Sequence, residues 1–372
     1  MLAKITAWLK GQVCPSRDKG RNGSVDGLRF LFSVAIVYFH ILHSNIISYS
    51  GGQQLYLTLQ EMSDSAGLIV EGFLILGGYF LYHSYQSGKS MEQFAVNRVV
   101  RLWPVLAFYT IIMLAFFGLD AYTAVFDLLF LRATGISLDS HGIIWYIGPF
   151  FWCSLLLYAL LRLVQPRWHG LMLAILTYVG YVMNVNLYSG GLGRDVEYGF
   201  VSMAMLRVLA GLSLGCLLAM LLRHQQAKMT ASVQDFRWRA VQSVAEIGLS
   251  VFLVAYLLLG LPQSQNQLIV VIAFFLLLYC ICGEGNGLVS ILLGNPLLAK
   301  LGKYSYSIYV MQQISFYILM RTLWLQSDFI YDHTYWCIAA SVLFSVLVGV
   351  LIYHFVERPV VKWWYRKHRK NA

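Results

Sequence analysis

Charge is what this chain has least of. Only 12% of its 372 residues are Asp, Glu, Lys or Arg, about half the usual share in soluble domains. A large soluble all-α protein needs helices with a charged face, yet stretches such as Val251–Leu261 and Leu268–Cys282 carry no charge at all. Met1–Arg21 has basic residues but no apolar run long enough for a secretory signal. The six cysteines are scattered, and five lie in apolar segments where a free thiol behaves as a small hydrophobe. Cys14 has no hydrophobic run before it, and Cys280 and Cys282 are spaced so as not to face one another on a helix. Neither a disulfide framework nor a metal site follows. No internal repeat or low-complexity segment is visible.

Apolar residues are what the chain has most of, at 59%. A spanning helix takes about 20 of them, and suitable stretches recur near 28–49, 66–82, 102–119, 143–163, 171–188, 200–222, 241–260, 267–283, 304–325 and 335–356. The fold class expected is all-α: a polytopic membrane bundle of about ten transmembrane helices. The net charge of +10 is read first as a marker of sidedness, because lysine and arginine collect in cytoplasmic loops. Alternate loops and both ends hold 22 of the 27 lysines and arginines, and the opposite loops hold only Arg132 and Arg194. Both termini are therefore expected in the cytoplasm, and nucleic acid is not an expected partner. The chain divides into a cytoplasmic lead-in (1–25), a transmembrane domain (26–359) and a basic cytoplasmic tail (360–372), whose Trp363, Trp364 and Tyr365 suit an interfacial anchor. The outer loop 120–142 mixes apolar and charged residues, which suits an interfacial or folded-back segment.

Ionisable groups inside spans are costly and mark function. Glu246, Arg321 and His354 fall near expected span ends, where they reach the interface. Arg29, His40, Glu71 and Arg207 do not. Arg29 and His40 are eleven positions apart, close to three helical turns, and so share one face about 16 Å apart along the axis. A cation thus stands at the cytoplasmic mouth, with a titratable base deeper in. Histidine suits general-base work near neutral pH, and His43 lies one turn further along the helix. Glu71 lies at a depth comparable to His40 on the second span. A lone carboxylate there needs a partner, for which Arg207 is the candidate, and Gly77 and Gly78 allow close helix approach. Arg98 and Arg101, at i and i+3, lie on one side of a helix turn and suit bidentate phosphate contacts. The plainer readings of these groups are hydrogen-bonded bundle residues and positive-inside anchors.

Taken in order, the motifs are similar to those of the acyltransferase-3 family. Asp26-Gly27-Leu28-Arg29 with His40 resembles its opening Arg-x10-His signature, Glu71 to Leu81 its second-helix pattern, and Arg98-Val-Val-Arg101 its Arg-x-x-Arg motif. Trp145-Tyr146, Leu301 to Tyr309 and Phe355 to Pro359 resemble later landmarks. Two positions depart: Gly77 stands in place of a serine, and Gln312 where the family often has histidine. The second departure is expected to remove a secondary polar contact. The resemblance implies transfer of an acyl group, most often acetyl, from cytoplasmic acyl-CoA (acetyl-CoA) to a hydroxyl of an extracytoplasmic or lipid-linked glycan or glycolipid. It implies His40 as general base, Arg29 and Glu71 as further catalytic residues with Glu71 orienting His40 or the acceptor, and Arg98, Arg101 and Arg29 holding the coenzyme, with no metal. It also implies a multi-pass protein of the bacterial cytoplasmic (inner) membrane, and sets no oligomeric state. The rival reading is a transporter of a sugar lipid or small solute, but no inverted repeat of the kind common in transporters is visible.

Sidedness is checked by cysteine labelling from each face after native accessible cysteines are replaced. Positions Lys89 and Lys228 should label only from the cytoplasm, and Gly190 and Asp332 only from outside. Outside labelling at 228 would overturn the ten-span arrangement.

Overall fold

The computed structural model describes residues 17–18, 21–43, 65–136, 142–188, 191–194, 197–198, 201–228, 236–259, 266–283, 287–319 and 333–368. Arg321, Gly190, Asp332 and Cys14 lie outside the described residues. In chain order the helices are α1 (Gly23–His43), α2 (Ile69–Gln86), α3 (Met91–Phe116), the short α4 (Ala121–Leu128), α5 (Ile147–Leu163), α6 (His169–Leu187) and α7 (Met203–Lys228). They continue with α8 (Phe236–Leu258), α9 (Gln267–Cys282), the short α10 (Leu288–Leu293) and α11 (Pro296–Leu301), then α12 (Ser305–Leu319), α13 (Thr334–Ile352) and α14 (Arg358–His368). Ten of these fall on the ten apolar stretches of the sequence. Two hairpins of two-residue strands, at 17–22 and 197–202, are the strands among the described residues.

Among the described residues six helices are long and apolar enough to cross a membrane, and α5 and α9 are shorter apolar ones. Their outer faces present Ile111, Val244, Val251, Ile272 and Leu347 to the surroundings, each more than half exposed. An apolar surface on this scale marks contact with lipid. The molecule is a polytopic helical membrane protein.

Helix ends depart from the hydropathy reading where capping chemistry intervenes. α3 begins eleven residues before the apolar run, because Ser90 and Gln93 form a capping box: Gln93 N donates to Ser90 Oγ and Ser90 N to Gln93 Oε1, both at 3.1 Å. Arg98 and Arg101 consequently sit within a formed helix. α8 begins at Phe236, so Glu246 is carried well inside it. The expectation that Glu246 reaches the interface is overturned: it is fully buried and accepts from Ser290 N at 2.9 Å and Ser290 Oγ at 2.6 Å. Ser24 of α1 donates to the Ser290 carbonyl at 2.6 Å, so this one serine joins α1, α8 and α10.

The segment after α3 folds back. Asp120 caps α4 by accepting from Thr123 N at 2.8 Å, Phe130 stacks on Phe151 of α5 with centroids 4.4 Å apart, and Arg132 pairs with buried Asp127 at 3.4 Å.

At the centre, α2 and α7 pack backbone to backbone. A Cβ on Gly78 would strike the Leu212 carbonyl, and one on Gly215 would strike the Ile75 carbonyl. In lipid, where the solvent is as apolar as the side chains, such close approach is a main source of helix association. Gly78→Ala should therefore destabilise the protein by about 1–3 kcal/mol or more, lowering its thermal midpoint in detergent. Gly248→Ala, where a Cβ meets nothing within 4 Å, should leave it unchanged or slightly raised.

Candidate active site

Helices α1, α2, α3, α5 and α12 enclose a cavity of about 800 Å³. Arg29, Arg98 and Arg101, far apart in the chain or chosen only by spacing, all line it. Asp26 and His83 are the other ionisable residues on its wall, and Asp26 pairs with Arg29 at 3.7 Å. The balance is positive, and low-dielectric walls concentrate that field on an incoming anion.

Arg98 is held between two rings from two helices. The Arg98 guanidinium carbon lies 5.0 Å from the Phe94 ring centroid and 4.9 Å from that of Phe150, within the range of cation–π attraction. Gly77 makes this possible. A Cβ there would come within 2.5 Å of Phe150 Cε2, so the residue standing in place of serine gives Phe150 its room. The lost hydroxyl is exchanged for a ring that supports Arg98. Opposite, Tyr306 donates to the Leu102 carbonyl at 2.6 Å, tying α12 to the helix that carries both arginines.

His40 does not line this cavity. It lies three turns further along α1 than Arg29, and its Nδ1 is 3.1 Å from Gln312 Oε1. Gln312 is one turn beyond Tyr309, whose ring does line the cavity, 4.9 Å from that of Tyr146. Glutamine at 312 thus makes a polar contact of its own, to His40. The side chain of His43 lies outside the described residues.

Glu71 has other partners than His40. Arg207 Nε donates to its Oε1 at 2.6 Å and the Tyr181 hydroxyl to its Oε2 at 2.5 Å. Arg207 also donates to the carbonyls of Leu192 at 3.1 Å and Gly67 at 2.5 Å, and lies over Trp145 at 5.5 Å. Both side chains are almost wholly buried. The candidate partnership of Glu71 with Arg207 is thus present, and it joins α2, α6 and α7.

Tyr146, Tyr306, Tyr309 and His83 were not singled out by ionisable-residue reasoning. The three tyrosines sat inside stretches that resembled family landmarks; His83, at a helix end, carried no signal. Among the described residues no group of three or more His, Cys, Asp or Glu is placed to hold a metal ion.

Removing one partner from a buried ion pair leaves an uncompensated charge and costs about 3–5 kcal/mol. Glu71→Leu and Arg207→Met should each lower the thermal midpoint strongly. The double variant should be less destabilised than the sum of the two, as a double-mutant cycle would read. Additive losses would mean that the pair is not coupled.

Searches of curated proteins and of solved structures return no match. A family model described as an acyltransferase domain matches residues 22–355, a span that takes in Arg29, His40, Glu71, both arginines of α3 and the whole of α12. The chain belongs to the acyltransferase-3 family, and is a membrane acyltransferase.

Proposed function

We propose that the protein transfers an acetyl group from cytoplasmic acetyl-CoA to a hydroxyl of an extracytoplasmic or lipid-linked glycan, in the inner membrane of a bacterium, with both of its own termini in the cytoplasm. The observation that carries this reading is the convergence of Arg29, Arg98 and Arg101 on one cavity whose α12 wall leads, one turn on, to Gln312 and His40.

In this reading Arg98 and Arg101 hold the phosphates of the coenzyme, where a planar guanidinium gives paired hydrogen bonds that an ammonium does not. Arg29, at the cytoplasmic mouth on α1, guides the pantetheine arm toward His40. His40 takes the proton of the acceptor hydroxyl as its oxygen attacks the thioester carbonyl. The carbon–sulfur bond then breaks, the acyl group stays on the acceptor oxygen, and the coenzyme leaves as a thiol with the proton from the imidazolium. General-base help of this kind contributes typically 10²–10⁴ in rate. Glu71, engaged by Arg207 and Tyr181, serves the site by fixing α2 beside it. The acceptor class is read by mass spectrometry of surface glycans from cells with and without the protein.

The mechanism is tested with purified protein. Arg98→Ala and Arg101→Ala should each raise the dissociation constant for acetyl-CoA by about one to two decades, since charged hydrogen bonds contribute roughly 1.5–3 kcal/mol. His40→Ala and His40→Gln should abolish thiol release from acetyl-CoA while leaving that constant and the thermal midpoint close to the parent's. Parent-like turnover by His40→Gln would remove His40 as the base.

A further inference from the structure

We infer that Gln312 is a positioning residue that sets the tautomer of His40, so that ring atom Nε2 is the basic nitrogen. The inference rests on the reading of His40 as general base given above.

Gln312 is fully buried on α12. A side-chain amide has one accepting end and one donating end, and its orientation follows from its partners. One end lies 2.8 Å from the Tyr309 carbonyl oxygen. That oxygen can only accept, so the NH₂ end faces Tyr309. The Oε1 end then faces His40 Nδ1 at 3.1 Å. An amide oxygen also only accepts, so in the neutral ring Nδ1 carries the proton and Nε2 the lone pair. Tyr309 thus serves two purposes: its ring lines the cavity, and its carbonyl fixes the amide that orients the base.

A carboxylate orients the histidine in hydrolytic triads by the same geometry. Here the orienting group is neutral. Inside a membrane span a second carboxylate would need a cation of its own, and the carboxylate at comparable depth, Glu71, is already held by Arg207 and Tyr181. A glutamine selects the tautomer without adding a buried charge.

The test reads the tautomer directly. Protein carrying ¹⁵N-labelled histidine is compared by NMR with His40→Asn, which identifies the His40 ring nitrogens. The parent should show a protonated Nδ1 and an unprotonated Nε2 in the neutral ring. Gln312→Met, close in volume but without an acceptor oxygen, should lose that preference. Its thiol release from acetyl-CoA, with water as acceptor, should fall about tenfold to a hundredfold, taking as a guide the loss when a metal-bound histidine is deprived of its outer partner. Acetyl-CoA affinity should not change. Gln312→Glu, which restores an acceptor oxygen, should regain the tautomer and part of the rate. A parent His40 protonated at Nε2 would overturn the inference without need of any variant. So would a Gln312→Met protein that keeps both tautomer and rate. If His40→Asn itself releases thiol at the parent rate, the general-base reading fails instead, and the two failures are distinguishable.

Discussion

A charge inside a membrane span must be answered, and the arrangement of this protein follows from how each one is. In hydrocarbon an unpaired ion is costly enough to be rare, and the intramembrane charges traced among the described residues are either paired with neighbours or placed on the wall of a cavity. Glu71 and Arg207 are answered by each other, by Tyr181 and by two backbone carbonyls. Glu246 is answered by the backbone and hydroxyl of Ser290. Arg98, Arg101 and Arg29, the last also paired with Asp26, are gathered on one cavity. Paired groups hold helices together, and the gathered ones line the cavity.

The same constraint governs how the site tolerates change. Where the family pattern carries a serine, Gly77 admits the Phe150 ring, and that ring supports Arg98. Where the family often carries a histidine, Gln312 makes a part-buried hydrogen bond to His40. In both cases the substitution alters which atoms meet and leaves the polar accounting closed, as a low-dielectric interior requires. Close backbone contact between α2 and α7 at Gly78 and Gly215 keeps this side of the cavity rigid, because helices in lipid gain stability from packing and not from expulsion of water.

Some features were misread from the sequence for identifiable reasons. Hydropathy finds the apolar run but not the cap before it, so α3 was begun at 102 although Ser90 and Gln93 start it at 91. The same shortfall on α8 left Glu246 at an apparent span end, when five earlier helical residues carry it into the bundle. The capping box was visible as Ser-x-x-Gln; the partner of Glu246 was not, since Ser290 is 44 positions away.

What the sequence by itself determined is periodic and one-dimensional: ten apolar runs, the side on which basic loops collect, the helical phase that sets Arg29 and His40 on one stripe, and the ordered motifs of an acyltransferase family. These follow from helix geometry and from lipid as solvent, which act on residues near one another in the chain. Tertiary structure alone decided which distant groups meet. It gave Glu71 to Arg207 and Tyr181, Gln312 to His40, and the three arginines to a common cavity. The physical reason is that a hydrogen bond or ion pair depends on distances of about 3 Å between atoms, and only the packing of whole helices sets distances that small between residues a hundred or more positions apart.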